Sequence, residues 1–222
     1  MMTKENLSKL EQILDEDVQN SYAWFFEKGY IHPLKNKVDR YGIMPDYQTV
    51  RIKSSIQKGY FILLERTFFD EAKELKEFTG IGPDFDTAQK VYLGNIKWVT
   101  LRNMKTILKF TGINPDYNFP GMKDAIHKGH IDSFEHGFFR SVKDMNEFTG
   151  IKPDYNSKEI FDAIQKCYLT EFNLYTYYDR GTNTTARINL INVIKEINEF
   201  TGIKPCKEVI AKYPKYADMF KD

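Results

Sequence analysis

The sequence predicts an all-α chain: an α-solenoid of about four helix–turn–helix repeats with N- and C-terminal caps. Three observations predict it. One short punctuation recurs five times, as YGIMPDY from Tyr41, FTGIGPDF from Phe78, FTGINPDY from Phe110, FTGIKPDY from Phe148 and FTGIKPC from Phe200. Segments 46–83 and 116–153 align without a gap, with 16 identities in 38 positions. Between the punctuation marks, apolar residues recur at spacings of three and four, the helical period, and no stretch alternates as a half-buried strand would. A pair of helices cannot bury both of its apolar faces alone, so consecutive units must lean on one another.

The elements follow in order. An N-terminal helix is expected over roughly Lys4–Leu14, inside a cap of residues 1–16. Repeats follow at about 17–45, 46–83, 84–115, 116–153 and 154–205, with residues 206–222 as the second cap and 1–222 as a single domain. The first helix of a repeat is expected from about Asp46 to Lys58. It closes at EKG, QKG, HKG or QKC (Lys28, Lys58, Lys128, Lys166), where a lysine complements the helix dipole and a glycine turns the chain. The second helix then carries Phe61, Leu64, Phe68, Ala72, Leu75 and Phe78. Seventy residues on, the same slots hold Ile131, Phe134, Phe138, Val142, Met145 and Phe148.

The punctuation reads as a helix stop. Gly42, Gly80, Gly112, Gly150 and Gly202 suit the left-handed position that ends a helix. In a Schellman ending, the Ile that follows would touch back onto Leu75, Ile107, Met145 or Ile197 five residues before the glycine. Pro45, Pro83, Pro115, Pro153 and Pro205 block continuation, and Asp46, Asp84, Asp116 and Asp154 are expected to cap the next helix. Cys206 breaks this pattern, which marks the last unit as a truncated cap. The polar segment YTYYDRGTNTTAR (175–187) lengthens the preceding unit, either as a projecting loop or as an extra helical turn.

The run GIKPDY at Gly150, followed by two helices and a second GIKP at Gly202, resembles the pentatricopeptide repeat family. The resemblance implies an α-solenoid and a single-stranded RNA ligand read one base per repeat. It places the base-reading side chains at Arg51, Gln89, Gly121 and Glu159. None of these is the Asn, Ser or Thr the family favours, and the units run 32 to 52 residues. The resemblance therefore implies the fold rather than the base code. Tetratricopeptide and ankyrin signatures are absent.

Composition narrows the function. The chain has 222 residues, 41% hydrophobic and 28% charged, which excludes a disordered, collagenous or disulfide-scaffold protein. A net charge of +1 provides no overall field toward nucleic acid or anionic lipid. Two cysteines, Cys167 and Cys206, and no apolar leader point to the cytoplasm or another reducing compartment. No apolar run approaches the roughly 20 residues of a membrane span.

Nucleotide-loop, nucleophile-elbow and zinc-protease motifs are missing, and carboxylate pairs such as Glu74 and Glu77 read as solvated charges. The densest polar cluster is His127, His130, Asp132, Glu135 and His136. Its spacing matches no ligand signature, so no metal and no cofactor are expected. Cys167 reads as a structural thiol.

Two groups read as binding surface. Tyr175, Tyr177, Tyr178 and Arg180 combine the side chains typical of hot spots and base stacking. Lys97, Arg102, Lys105 and Lys109 form a basic stretch without acids. The expected function is a non-catalytic scaffold that binds a protein or peptide partner on a helical surface. The alternative is single-stranded RNA binding.

Overall fold

The computed structural model describes residues 4–97, 101–179, 184–214, 217 and 220, with the backbone alone at 4–12, 97, 175–179 and 184–190. Among the described residues there are eleven helices and no strand, so the chain is all-α as its periodicity predicts. They are α1 (Lys4–Lys28), α2 (Ile31–Tyr41), α3 (Val50–Glu65), α4 (Phe69–Thr79), α5 (Phe85–Lys97) and α6 (Leu101–Thr111), then α7 (Met122–Glu135), α8 (Phe139–Thr149), α9 (Lys158–Asp179), α10 (Thr184–Thr201) and α11 (Lys207–Lys212). The chain divides into two compact units, one of residues 1–95 and 102–116, the other of 96–101 and 117–222.

In the first unit α1 packs on both α2 and α3, and α3 on α4. Tyr22, Phe26, Ile52, Ile56, Tyr60 and Leu64 fill its interior. In the second unit α7 packs on α8 and α9, and α9 on α10 and α11. Phe134, Phe139, Ile164, Tyr168 and Phe172 centre that core.

The helices α3 and α7 run further than the glycines of QKG and HKG suggest, while α1 ends at Gly29 as EKG predicts. Gly59 and Gly129 lie inside α3 and α7. Gly59 is there for close approach: a Cβ on it would sit 2.3 Å from the Phe26 carbonyl oxygen of α1. The same holds more loosely at Gly129, whose Cβ would lie 3.1 Å from the Ile96 carbonyl. The helix stop falls eight residues later, at Thr67 and Gly137, and at Gly29 in α1. All three residues have positive φ: 69° at Gly29, 63° at Thr67 and 75° at Gly137. Each is closed by the paired bonds of a Schellman turn. Phe68 N–H donates to the Leu63 carbonyl at 2.8 Å and Thr67 N–H to Leu64 at 3.2 Å. Phe61 and Leu64 consequently belong to α3, and Phe68 and Phe138 stand exposed at the turn instead of on a second-helix core face.

The GIxP punctuation, expected to be the Schellman ending, is a simpler one. Gly80 N–H donates to the Lys76 carbonyl at 2.9 Å, a single left-handed cap. The Ile81 N–H goes to the hydroxyl of Thr79 at 3.1 Å, and that hydroxyl donates to Leu75 at 2.8 Å. Thr111, Thr149 and Thr201 repeat the arrangement. This is the physical reason for threonine in FTGI: one hydroxyl serves a helical carbonyl and the N–H released past the glycine.

Among the described residues the aspartate after the proline caps a helix directly at Asp84, whose Oδ1 accepts from Thr87 N–H at 2.8 Å, whereas α7 begins only at Met122 behind Gly121, well past Asp116. Asp46 and Asp154 form local turns two residues long, and their helices begin later, with Thr49 capping α3. At the N-terminus, the expected cap helix and the first repeat helix are one continuous α1. In the segment 175–187, the extra helical turn is correct for the described part: α9 continues to Asp179 and α10 starts at Thr184.

A clamp that the sequence pattern did not reveal fixes four of the five punctuations to the first helix of their pair. The Gln57 amide donates to the Gly82 carbonyl at 3.0 Å and accepts from Asp84 N–H at 2.8 Å, while the Tyr60 hydroxyl donates to Ile81 at 2.7 Å. Gln19 with Tyr22, Gln89 with Tyr92, and Gln165 with Tyr168 make the same three bonds. Gln and Tyr stand three apart on one helix face, so both reach the same turn. In α7 the two slots hold His127 and His130. With the Asn146 side-chain amide turned so that its nitrogen faces His130, that nitrogen takes over, within donating distance of His130 Nε2 at 3.1 Å and of the Ile151 carbonyl at 3.0 Å.

Candidate functional site

The clamps set the turns against the first helices, and in the first unit this leaves an open groove of about 980 Å³ lined from α1, α3, the Ile81 turn and α5. Its apolar floor is Val50, Phe61, Ile62 and Ile81. Val50 opens α3 with 84% of its surface exposed, while the other three are half-buried. Four lysines surround it, Lys28, Lys53, Lys58 and Lys90, with Glu27, Asp84 and Asp86 among them.

The charges of the groove divide into paired and unpaired. Lys58 lies 2.8 Å from Glu27 Oε1, and Ser55 donates to the same oxygen at 3.2 Å. The Lys58 hydrogen bond holds the Glu27 carboxyl below the usual glutamate range. Lys90 pairs with Asp86 one helical turn away. Asp84 is engaged as the cap of α5. Lys28 and Lys53 are exposed, and no ion pair forms on either among the described residues. Seven charges of mixed sign around an apolar floor suit a ligand with both polar and apolar side chains.

The residues expected to bind do not converge on this groove. Tyr175, Tyr177 and Tyr178 lie on the last turns of α9, where the backbone alone is described, and Arg180 lies outside the described residues. Lys97 is the last residue of α5, again with backbone only. Arg102 and Lys105 are exposed on α6 together with Lys109, one side of one helix.

The histidine cluster is dispersed. His130 is 1% exposed in the clamp slot, and burial pulls its imidazole pKa down to about 4. His127 points to Glu159 at 3.5 Å, His136 Nδ1 lies 2.7 Å from the Asp132 carbonyl, and Glu135 pairs with Lys166 at 2.6 Å. Among the described residues no three His, Cys, Asp or Glu side chains are grouped to hold a metal. Cys167 is buried, and that burial, with the charge of Glu171 nearby, pushes its thiol up to about 12, so it is protonated at neutral pH.

The base-reading positions are occupied in other ways. Gln89 is fully buried with both amide atoms committed to the turn at Asn114 and Asp116. Arg51 donates to Asn20, Glu159 faces His127, and Gly121 is the left-handed residue before α7.

The groove itself was missed, because its members come from α1, α3 and α5 and share no sequence spacing. The clamp residues could have been found, since Gln-x-x-Tyr recurs at one place in four of the five units. Among the described residues no helix is long and apolar enough to cross a membrane. No protein-family model, curated protein or solved structure matches the chain.

Proposed function

We propose that this protein is a non-catalytic helical-repeat scaffold and that the groove of α1, α3 and α5 receives a protein or peptide partner. The observation that carries the reading is the open apolar floor at Val50, Phe61, Ile62 and Ile81, with Val50 exposed and the rest half-buried, inside a ring of charges. Apolar area left open amid polar rims is characteristic of interaction sites. Single-stranded RNA is the weaker reading. It rests on the repeat resemblance, and Gln89, a base-reading position under that resemblance, is sequestered in the clamp.

The test is affinity capture from the native host with the intact chain and with Phe61→Asp, each with and without RNase. Partners that survive RNase and are lost with Phe61→Asp support the reading. Capture that disappears with RNase overturns it in favour of RNA. A captured set unchanged by Phe61→Asp overturns the groove as the site.

A further inference from the structure

We infer that the occupant of the groove is an acidic peptide segment carrying a bulky apolar side chain; this rests on the reading of the groove as a peptide or protein site. The inference comes from which charges are already satisfied. Glu27 is held by Lys58 and Ser55, Asp86 by Lys90, and Asp84 by the N-terminus of α5. The two lysines left over, Lys28 and Lys53, lie beside the apolar floor and are exposed. A ligand that complements the groove therefore brings carboxylates for Lys28 and Lys53 and an apolar side chain to cover Val50 and Phe61.

Lys28 stands in the last turn of α1 and Lys53 in the first turn of α3. Neither contributes an ion pair to the fold among the described residues, so both ammonium groups are available to a partner without a competing intramolecular pair. A polyphosphate chain fits less well. The floor holds a single phenylalanine among aliphatic side chains and offers little for successive bases to stack on.

The experiment is fluorescence anisotropy on the intact chain. The probes are a labelled peptide of alternating Glu and Phe, its Gln/Phe and Lys/Phe counterparts, and a labelled single-stranded RNA. The Glu/Phe peptide is expected to bind most tightly and to weaken as salt is raised. The double variant Lys28→Gln/Lys53→Gln is expected to lower its affinity about tenfold while leaving the Gln/Phe peptide unchanged. Val50→Asp, at a position already exposed, is expected to weaken both peptides, and circular dichroism of each variant checks that the helices are retained.

Equal binding of the Glu/Phe and Gln/Phe peptides, preference for Lys/Phe, or indifference to the double variant overturns the acidic-ligand inference. So does the failure of every peptide to bind. In those cases the scaffold reading stands or falls separately on the Phe61→Asp capture. Preference for the RNA overturns both.

Discussion

Replacing Gln89 by Met keeps an unbranched side chain of similar length and removes only the amide. In the folded protein that amide is fully buried, donating to Asn114 at 2.9 Å and accepting from Asp116 at 2.7 Å. Each neutral hydrogen bond contributes about 1 kcal/mol net, and a shielded partner left unpaired costs about 1–3 kcal/mol. Both bonds are partly shielded from water, so Gln89→Met is expected to destabilise the first unit by about 2 kcal/mol. Gln19 makes the same pair of bonds to Met44 and Asp46, but both are exposed. Water replaces them there, and Gln19→Met is expected to cost no more than about 0.5 kcal/mol. Urea denaturation followed by far-ultraviolet ellipticity measures both variants, with stability read from the midpoint at constant slope. If Gln89→Met unfolds within about 0.5 kcal/mol of the parent, or if the two variants cost the same, the argument from burial fails.

Other expectations concern backbone and protonation. Gly59→Ala places a methyl 2.3 Å from the Phe26 carbonyl oxygen, and in spite of alanine's better helix propensity it should lower the free energy of unfolding by about 1–3 kcal/mol in the same urea assay. Thr67 is a β-branched residue at φ 63°, so Thr67→Gly should stabilise by about 0.5–1 kcal/mol in the same assay. His130 has a folded pKa of about 4 against an ordinary 6.5. The unfolded state thus binds the proton first, and the stability His130 contributes is present above pH 6.5 and lost as pH falls toward 4, by about 3 kcal/mol. His130→Gln should flatten that part of the stability profile, and an unchanged profile would refute the assignment. Burial raises the pKa of the Glu171 carboxyl, so Glu171→Gln should raise stability at neutral pH and have no effect in acid, read from paired melting curves.

The all-α class and the spacing of the turns were legible because the punctuation is backbone chemistry: a left-handed glycine, a threonine that bonds both sides of it and a proline. The helix ends inside each unit were not. Gly59 reads as a terminator from sequence, yet its role is to let α1 approach, a demand set by a helix distant in the chain. The true terminator, Thr67, is disguised because threonine seldom adopts positive φ, and only its counterparts Gly29 and Gly137 carry the usual sign. The groove was illegible for a different reason. Whether a lysine is paired depends on distances between helices, as Lys58 with Glu27 illustrates, 31 positions apart. Gln-x-x-Tyr is legible as a recurrence, at 19/22, 57/60, 89/92 and 165/168, because a spacing of three puts both side chains on one helix face.

The Gln–Tyr device touches only peptide groups of the turn, never the side chain at its centre. In the four turns so clamped that central position holds Met44, Gly82, Asn114 and Lys204, four unrelated chemistries on one architecture. The tip of the hairpin is equally unconstrained: from Gln165 and Tyr168 the clamp spans 39 and 35 residues where the others span 25 and 21, and its bonds are the same. Decoration and length can thus drift at two places per hairpin without touching what holds it shut, which makes those places natural grafting points for new specificity.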